Sequence, residues 1–146
     1  MKNAADILQS KPNTTVHSVT PTTSMFEAIK LMAEKNIGAL LVVEGETIRG
    51  IVSERDYARK IILAGRSSRE TPVGDVMTSP VMYVGPTAST QECMALMTDR
   101  RLRHLPVMEG GKLLGLISIG DLVKDIISEQ SFIIDQLQHY ISGRPA

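Results

Sequence analysis

The chain repeats itself at a shift of 65 residues. Of the 45 positions from 16 to 60, 15 carry the same residue 65 positions later, and most of the other pairs exchange one apolar residue for another. A duplicated sequence folds into two similar units, and each unit alone would bury only a small core. The repeat therefore predicts two related units packed against each other, residues 1–70 and residues 71–146. The polar, turn-rich stretch 65–72 is the predicted linker.

Each copy predicts the same order of strands and helices. In the first copy, a short strand at 16–19 precedes Ser24, which begins a Ser-x-x-Glu capping box and a helix with apolar residues at helical spacing. Two strands at 40–43 and 49–52 form a hairpin, and a second helix follows Asp56. The second copy repeats this order. The predicted fold class is α/β (α+β), built from two pseudo-symmetric β-α-β-β-α repeats.

The last predicted helix extends well beyond the repeated region. Apolar residues continue at helical spacing past residue 126, with Ser131 as a candidate break. Their stripe is more than one small unit can cover, and we expect a homodimer to bury it, since two-fold dimers are the commonest oligomers. The stripe consists of Phe132, Ile133, Ile134, Leu137 and Ile141.

Composition excludes several classes of protein. The 16 cations balance the 16 anions, which argues against a general nucleic-acid or membrane-surface binder. The single cysteine, Cys93, cannot form an internal disulfide or a Cys-x-x-Cys metal site. No apolar run is long enough to span a membrane, and the N-terminus lacks the apolar core of a signal peptide. The expected location is cytoplasmic.

Both copies place a Ser-x-x-Asp sequence where the hairpin ends and a helix begins. Ser53 and Asp56 form the first pair, and Ser118 and Asp121 form the second. One interpretation is helix capping, because Ser and Asp accept hydrogen bonds from the free N–H groups of a helix start. The other is a ligand site, because a helix start favours anions and a carboxylate there accepts the hydroxyls of a ribose. The identical spacing in both copies favours the ligand.

These residues carry a resemblance to a known family. The matched features are the Gly-h-h-Ser-x-x-Asp end of the last strand (h, apolar), the Val-Thr-Pro and Val-Gly-Pro openings at 19–21 and 84–86, the strand Leu105–Val107, and the Asp-Val-Met-Thr sequence at 75–78. The duplicated unit resembles a CBS domain. The whole chain resembles a stand-alone tandem CBS pair, known as a Bateman module.

The resemblance implies a regulatory module that binds an adenosyl ligand, such as AMP, ADP, ATP, NAD(P) or S-adenosylmethionine, in clefts between the two repeats. Mapped onto this chain, one cleft would combine Ser53, Asp56, Thr78, Val81, Met82, Leu102, Arg103 and His104. The pseudo-symmetric cleft would combine Ser118, Asp121, Thr15, Val16, His17, Ile37, Gly38 and Ala39. Arg55 and Arg59 could reach a phosphate from either cleft, and we expect at least the Asp56 cleft to be occupied.

Other functions are less well supported by the residues. No set of catalytic residues or phosphate-binding glycine loop is evident outside the repeat, so we expect no enzyme, no catalytic cofactor and no metal. The three histidines lack neighbouring ligands, the arginines before His104 are typical of a solvated helix end, and Cys93 fits a helix core. The alternative function is a ligand-free module for dimerisation or protein docking. A downstream effector protein is not identified by the sequence.

Overall fold

The computed structural model describes residues 2–142, with side chains to residue 139. Its contacts divide the chain into two compact units, which we call the continuous unit (residues 15–82) and the split unit (residues 1–14 with 83–146). This division differs from the boundary at residues 70 and 71 that the repeat suggests. Residues 1–14 pack with the second repeat, and residues 71–82 pack with the first.

The continuous unit contains a three-stranded sheet and two helical segments. Its elements are β1 (Ser18–Val19), α2 (Met25–Lys35), β2 (Ala39–Glu44), β3 (Thr47–Ser53) and α3 (Glu54–Asp56). Helix α3 continues as a π-helical segment (Tyr57–Ile62), and a short 3₁₀ turn (Val73–Asp75) follows later in the chain. Strand β1 pairs in parallel with β2, and β2 pairs antiparallel with β3. The fully buried side chains of Met25, Leu40 and Val52 lie in the core between helix and sheet. The predicted order of elements is confirmed in this unit.

The split unit begins with a helix that the repeat does not predict. Helix α1 (Ala4–Ser10) is capped by Asn3, whose side chain accepts a hydrogen bond from Asp6 N, while Asp6 accepts one from Asn3 N. The remaining elements are α4 (Thr90–Arg100), β4 (His104–Glu109), β5 (Lys112–Ser118) and α5 (Ile119–Ser142). Strands β4 and β5 form an antiparallel hairpin, as predicted.

The first strand of the second repeat is reduced to one bridge, between Val84 and Val107. In the continuous unit, Leu41 N donates to His17 O at 3.3 Å and lengthens the pairing of β1. The residue that corresponds to Leu41 in the second repeat is Pro106, which has no N–H to donate. The repeat predicted a strand here, and the proline explains why it is shorter than in the first copy.

Two glycines explain which segment packs on each hairpin. A Cβ at Gly50 would lie 2.7 Å from Met77 Sδ and 2.8 Å from Thr78 O, and a Cβ at Gly115 would lie 2.7 Å from Leu8 Cδ2. The absence of a side chain therefore lets residues 77–78 approach β3, and lets α1 approach β5.

Helix α5 is continuous from Ile119 to Ser142, so the candidate break at Ser131 is wrong. Ser131 is exposed, and a serine on an exposed helix face lowers helix propensity only slightly. The last member of the predicted stripe, Ile141, lies outside the residues whose side chains are described. Within the described range, no helix has the length and apolar character that crossing a bilayer requires.

Candidate functional site

In the continuous unit, Ser53 ends β3 and Asp56 lies in the first helical turn after it. Ser53 N donates to Asp56 Oδ2 at 2.9 Å, and Asp56 N donates to Ser53 Oγ at 3.2 Å. The hydroxyl of Ser53 also donates to Asp56 Oδ2, at 3.1 Å. This is a reciprocal capping box, so the capping interpretation of Ser-x-x-Asp is correct for this copy. Capping does not exclude ligand binding, because a carboxylate has about four acceptor positions.

The second oxygen of Asp56 is also engaged. Lys60 Nζ lies 2.9 Å from Asp56 Oδ1, and Thr78 Oγ1 donates to the same oxygen at 3.4 Å. The Lys60 ammonium also donates to Val76 O at 2.8 Å, which fixes its position. Asp56 is only 8% exposed. Both of its oxygens therefore have partners within the unit.

In the split unit, Ser118 and Asp121 form the corresponding junction between β5 and α5. Ser118 N donates to Asp121 Oδ2 at 2.8 Å, and Asp121 N donates to Ser118 Oγ at 3.1 Å. Lys11 Nζ, which comes from the residue after α1, lies 2.9 Å from Asp121 Oδ2 and donates to Leu116 O at 2.8 Å. Burial alone would raise the pKa of Asp121, but the hydrogen bonds from Ser118 and the contact with Lys11 outweigh burial and lower that pKa.

His104 lies beside this junction, where it pairs with Ser118 across the hairpin. Burial lowers the pKa of His104, and repulsion from the Lys11 and Arg103 cations lowers it further against the opposing attraction of Asp121. The imidazole is therefore neutral at pH 7. The carbonyl oxygen of Arg103 accepts from Ile119 N at 2.9 Å, which holds Arg103 next to the start of α5.

The corresponding residues of the continuous unit lie beside Asp56. Ala39 pairs with Ser53 across the hairpin, and Gly38 O accepts from Glu54 N at 3.1 Å. In each unit, then, the residues at the start of the hairpin's first strand (β2 or β4) lie against that unit's own Ser-x-x-Asp junction. In each predicted cleft, by contrast, the aspartate of one unit is combined with residues of the other unit. One cleft combines Asp56 with Leu102, Arg103 and His104. The other combines Asp121 with Ile37, Gly38 and Ala39. The crosswise combination stays a prediction.

The other predicted site residues also fall within one unit or the other. Thr78 is in direct contact with Asp56. The continuous unit also contains Val81 and Met82, which follow Thr78, the first-strand residues Thr15, Val16 and His17, and the helix residues Arg55 and Arg59.

Sequence reasoning missed the two lysines that contact the aspartates. Lys60 could have been found, because a cation four residues after Asp56 lies on the same helix face. Lys11 could not be found from the repeat, because it lies in a region where the first copy has four more residues than the second.

Residues outside these junctions show little sign of chemistry. Cys93 is fully buried, and burial raises the pKa of its thiol, as expected for a core residue. Among residues 2–142, no group of three or more histidine, cysteine or acidic side chains is arranged to hold a metal ion.

Comparison with known proteins gives a consistent result. The CBS domain family matches residues 4–63 and 73–128. The CBS domain-containing protein CBSX3, mitochondrial, of Arabidopsis thaliana is 40% identical over 147 residues, which cover 95% of this chain and 71% of that protein.

Solved structures agree with this assignment. A putative signal-transduction protein with CBS domains from Burkholderia ambifaria MC40-6 is 60% identical, with a TM-score of 0.85 over 88% of this chain and 96% of that one. CBSX2 in complex with AMP is 25% identical, with a TM-score of 0.70 over 89% of this chain and 99% of that one. The resemblance seen in the sequence is confirmed: the chain carries two CBS domains and belongs to the CBS domain family.

Proposed function

We propose that this protein is a non-catalytic regulatory module that binds an adenine nucleotide of the AMP, ATP or NAD(P) class. The family supports a regulatory role, and a structural neighbour is a complex with AMP. The observation that carries the proposal is the duplicated Ser-x-x-Asp junction, in which a carboxylate is held at the start of a helix in both units.

The chemistry of the junction suits a ribose. A vicinal pair of hydroxyls donates two hydrogen bonds to one carboxylate, and hydrogen bonds to a charged group contribute about 1.5–3 kcal/mol each. The serine holds each aspartate through backbone and side-chain hydrogen bonds. A carboxylate that is already oriented loses little entropy when the ligand binds.

Phosphate groups need cations near the same junctions. Arg103 lies directly before β4, and Arg55 and Arg59 lie on the helical segment that follows β3. His104, the first residue of β4, is neutral at pH 7 and can give a phosphate a ring N–H donor instead of a charge. An arginine can donate two parallel hydrogen bonds to a phosphate. We propose these four side chains, with the other residues predicted from the family resemblance, as the candidate binding residues.

Regulation follows if the nucleotide binds two conformations of the module with different affinity. A ligand shifts a conformational equilibrium only by this difference. We propose that the shifted conformation changes a surface recognised by an effector protein or by a second copy of the chain. For location we propose the cytoplasm, because a sequence with a single cysteine is typical of a reducing compartment; cell fractionation tests this.

Thermal unfolding with a panel of ligands tests the proposal. AMP, ATP, NAD, NADP and S-adenosylmethionine are each added to the wild type and to the double variant Asp56→Asn/Asp121→Asn, since asparagine keeps the shape of the cap but not the charge. A ligand at 100 times its dissociation constant stabilises the protein by about 2.7 kcal/mol. We expect at least one nucleotide to raise the melting temperature of the wild type but not that of the double variant.

A matched control separates binding from stability. Ser89→Ala removes the N-cap hydrogen bond to Glu92 N at 3.0 Å, far in sequence from either junction, and costs about 1 kcal/mol. This variant should melt earlier yet respond to the nucleotide as the wild type does. If no ligand at millimolar concentration moves the wild-type transition, the nucleotide proposal is wrong.

Helix α5 favours a second candidate function, a dimerisation module. Large apolar side chains on this helix are exposed, among them Ile127 at 57%, Phe132 at 64% and Leu137 at 55%. We expect light scattering after gel filtration to give the mass of a homodimer. Leu137→Glu should shift it towards the monomer, while Ser128→Glu, at an exposed position on the opposite side of α5, should not. A wild-type mass of one chain would contradict this candidate.

A further inference from the structure

We propose that two copies of the chain pair through the second half of α5, with Gln130 of one copy opposite Gln130 of the other. The paired surface, which we call the α5 stripe, consists of Ile127, Gln130, Ile133, Ile134 and Leu137. This inference rests on the dimerisation proposed above, and it adds the residues that meet and the group that sets their register. Most of the stripe lies beyond residue 128, where the match to the CBS domain family ends.

The second half of α5 is helical but exposed on all sides. Every residue from 127 to 138 is exposed, whereas Leu122 and Asp125, earlier in the same helix, are buried. Helices in proteins gain most of their stability by packing an apolar face, and less from helix propensity. Among the described residues, nothing covers this half of α5, and a partner that covers it would stabilise it.

The α5 stripe has the spacing of a helix face that packs against another element. Its members follow one another at intervals of three, one and four residues or fewer, which places them within about 120° around the helix. The four apolar side chains are each exposed by 52–57%. Phe132 lies about 160° from Gln130 around the helix and is therefore not part of the stripe.

The charges of α5 favour a second copy of the chain over a charged partner. The stripe carries no charged residue, and Lys124, Glu129 and Asp135 lie about 100° or more from Gln130 around the helix. Two copies of this surface therefore approach without repulsion between like charges, and a two-fold dimer requires a surface that is complementary to itself. An acidic or basic partner would find no opposite charge on the stripe.

Gln130 indicates both the partner and the register. It lies at the centre of the stripe, and burying its amide against an apolar surface would cost the hydrogen bonds that it makes with water. A glutamine amide has donors and an acceptor, so two glutamines that meet can hydrogen-bond each other. In coiled coils, a single polar residue on an otherwise apolar helix face fixes which residues meet. Gln130 opposite its own copy therefore satisfies the amide and sets the register.

Paired charge variants test the inference. Gln130→Glu and Gln130→Lys keep the helix propensity of glutamine. Each variant alone places like charges opposite each other, and we expect the dissociation constant of its dimer at pH 7 to rise about tenfold or more. An equimolar mixture of the two variants should recover the dimer, because opposite charges then meet. Sedimentation equilibrium measures both. Ser128→Glu and Ser128→Lys, about 160° from Gln130, are the matched controls and should dimerise as the wild type does.

A disulfide between copies gives a second readout. Gln130→Cys, oxidised with copper phenanthroline, should form a covalent dimer, because a disulfide joins residues whose Cα atoms lie about 4.4–6.8 Å apart. The wild type should not form one, since its single cysteine, Cys93, is fully buried. Ser128→Cys should not form one either.

The outcomes separate this inference from the proposed dimerisation. If the wild type is a monomer, the dimerisation candidate fails and this inference fails with it, while the nucleotide proposal is unaffected. If the wild type is a dimer and either charge variant alone dimerises equally tightly, the dimer uses another surface, and this inference is wrong while dimerisation stands. If the mixture of charge variants stays monomeric, Gln130 does not meet its own copy.

Discussion

Replacing Gly50 with alanine tests how the segment at residues 77–78 is held against β3. The new Cβ would lie 2.7 Å from Met77 Sδ and 2.8 Å from Thr78 O. The methionine side chain can move, but Thr78 O accepts from Ile51 N at 3.0 Å and Thr78 N donates to Ile51 O at 2.8 Å, so the backbone cannot shift without losing these bonds. Overpacking of this kind costs about 1–3 kcal/mol.

The net effect is smaller than the clash. Glycine to alanine also reduces the entropy of the unfolded chain, which stabilises the protein by about 0.4–1 kcal/mol. We therefore expect Gly50→Ala to lower the free energy of unfolding by about 1–2 kcal/mol, or the melting temperature by roughly 3–8 °C. Thermal unfolding followed by circular dichroism measures this directly.

Two further glycines give the controls for this experiment. At Gly115 the new Cβ meets only side-chain atoms of Leu8, which can rotate, so Gly115→Ala should cost less than Gly50→Ala. At Gly85 nothing lies within 4 Å of the new Cβ, so Gly85→Ala should be neutral or slightly stabilising. Equal melting temperatures for Gly50→Ala and Gly85→Ala would refute the argument that close approach requires a glycine at 50.

Three other predictions follow from the pKa shifts and burial. The folded pKa of Asp121 is lowered, so the ionised carboxylate stabilises the folded protein above the unfolded pKa of about 3.9. This stabilisation is lost as the pH falls through the folded pKa. In an acid titration, the free energy of unfolding of Asp121→Asn should therefore fall less steeply below about pH 4 than that of the wild type. The folded pKa of His104 is also lowered, so acidification below the unfolded pKa of about 6.5 favours the unfolded state, which binds the proton more readily. NMR titration of the imidazole ring should give a midpoint below that of an exposed histidine. A midpoint above that of an exposed histidine would contradict the burial of His104. Cys93 should react with a thiol reagent such as dithionitrobenzoate only when the protein is unfolded, because the native side chain is fully buried and its thiol pKa is raised. Rapid reaction of the native protein would contradict this and show that α4 opens readily.

Much of the fold could be predicted because the sequence pattern of each repeated element occurs twice in the chain. Ser24 and Ser89 were both identified as helix caps, and both accept the expected hydrogen bond, from Glu27 N and Glu92 N. Features without a counterpart in the other copy were missed. Helix α1 is the main example. The segment after Asp56 was predicted as a helix, but its π-helical hydrogen bonding was not.

The candidate site was predicted in its parts but not in its contacts. The spacing of Ser53 and Asp56 was enough to locate the carboxylate, because capping geometry is local. The partners of Asp121 depend on how residues 1–14 pack on β5, and this packing could not be read from residues that lie more than 100 positions apart in sequence. Lys11 and its hydrogen bond to Leu116 O therefore appear only in the structure.

A crystal structure of the protein grown with saturating AMP tests the central claim most directly. We expect the ribose hydroxyls to lie at hydrogen-bond distance, about 2.5–3.0 Å, from a carboxylate oxygen of at least one Ser-x-x-Asp junction. AMP bound elsewhere on the chain, or both carboxylates keeping only their present partners in crystals that hold AMP, would contradict it.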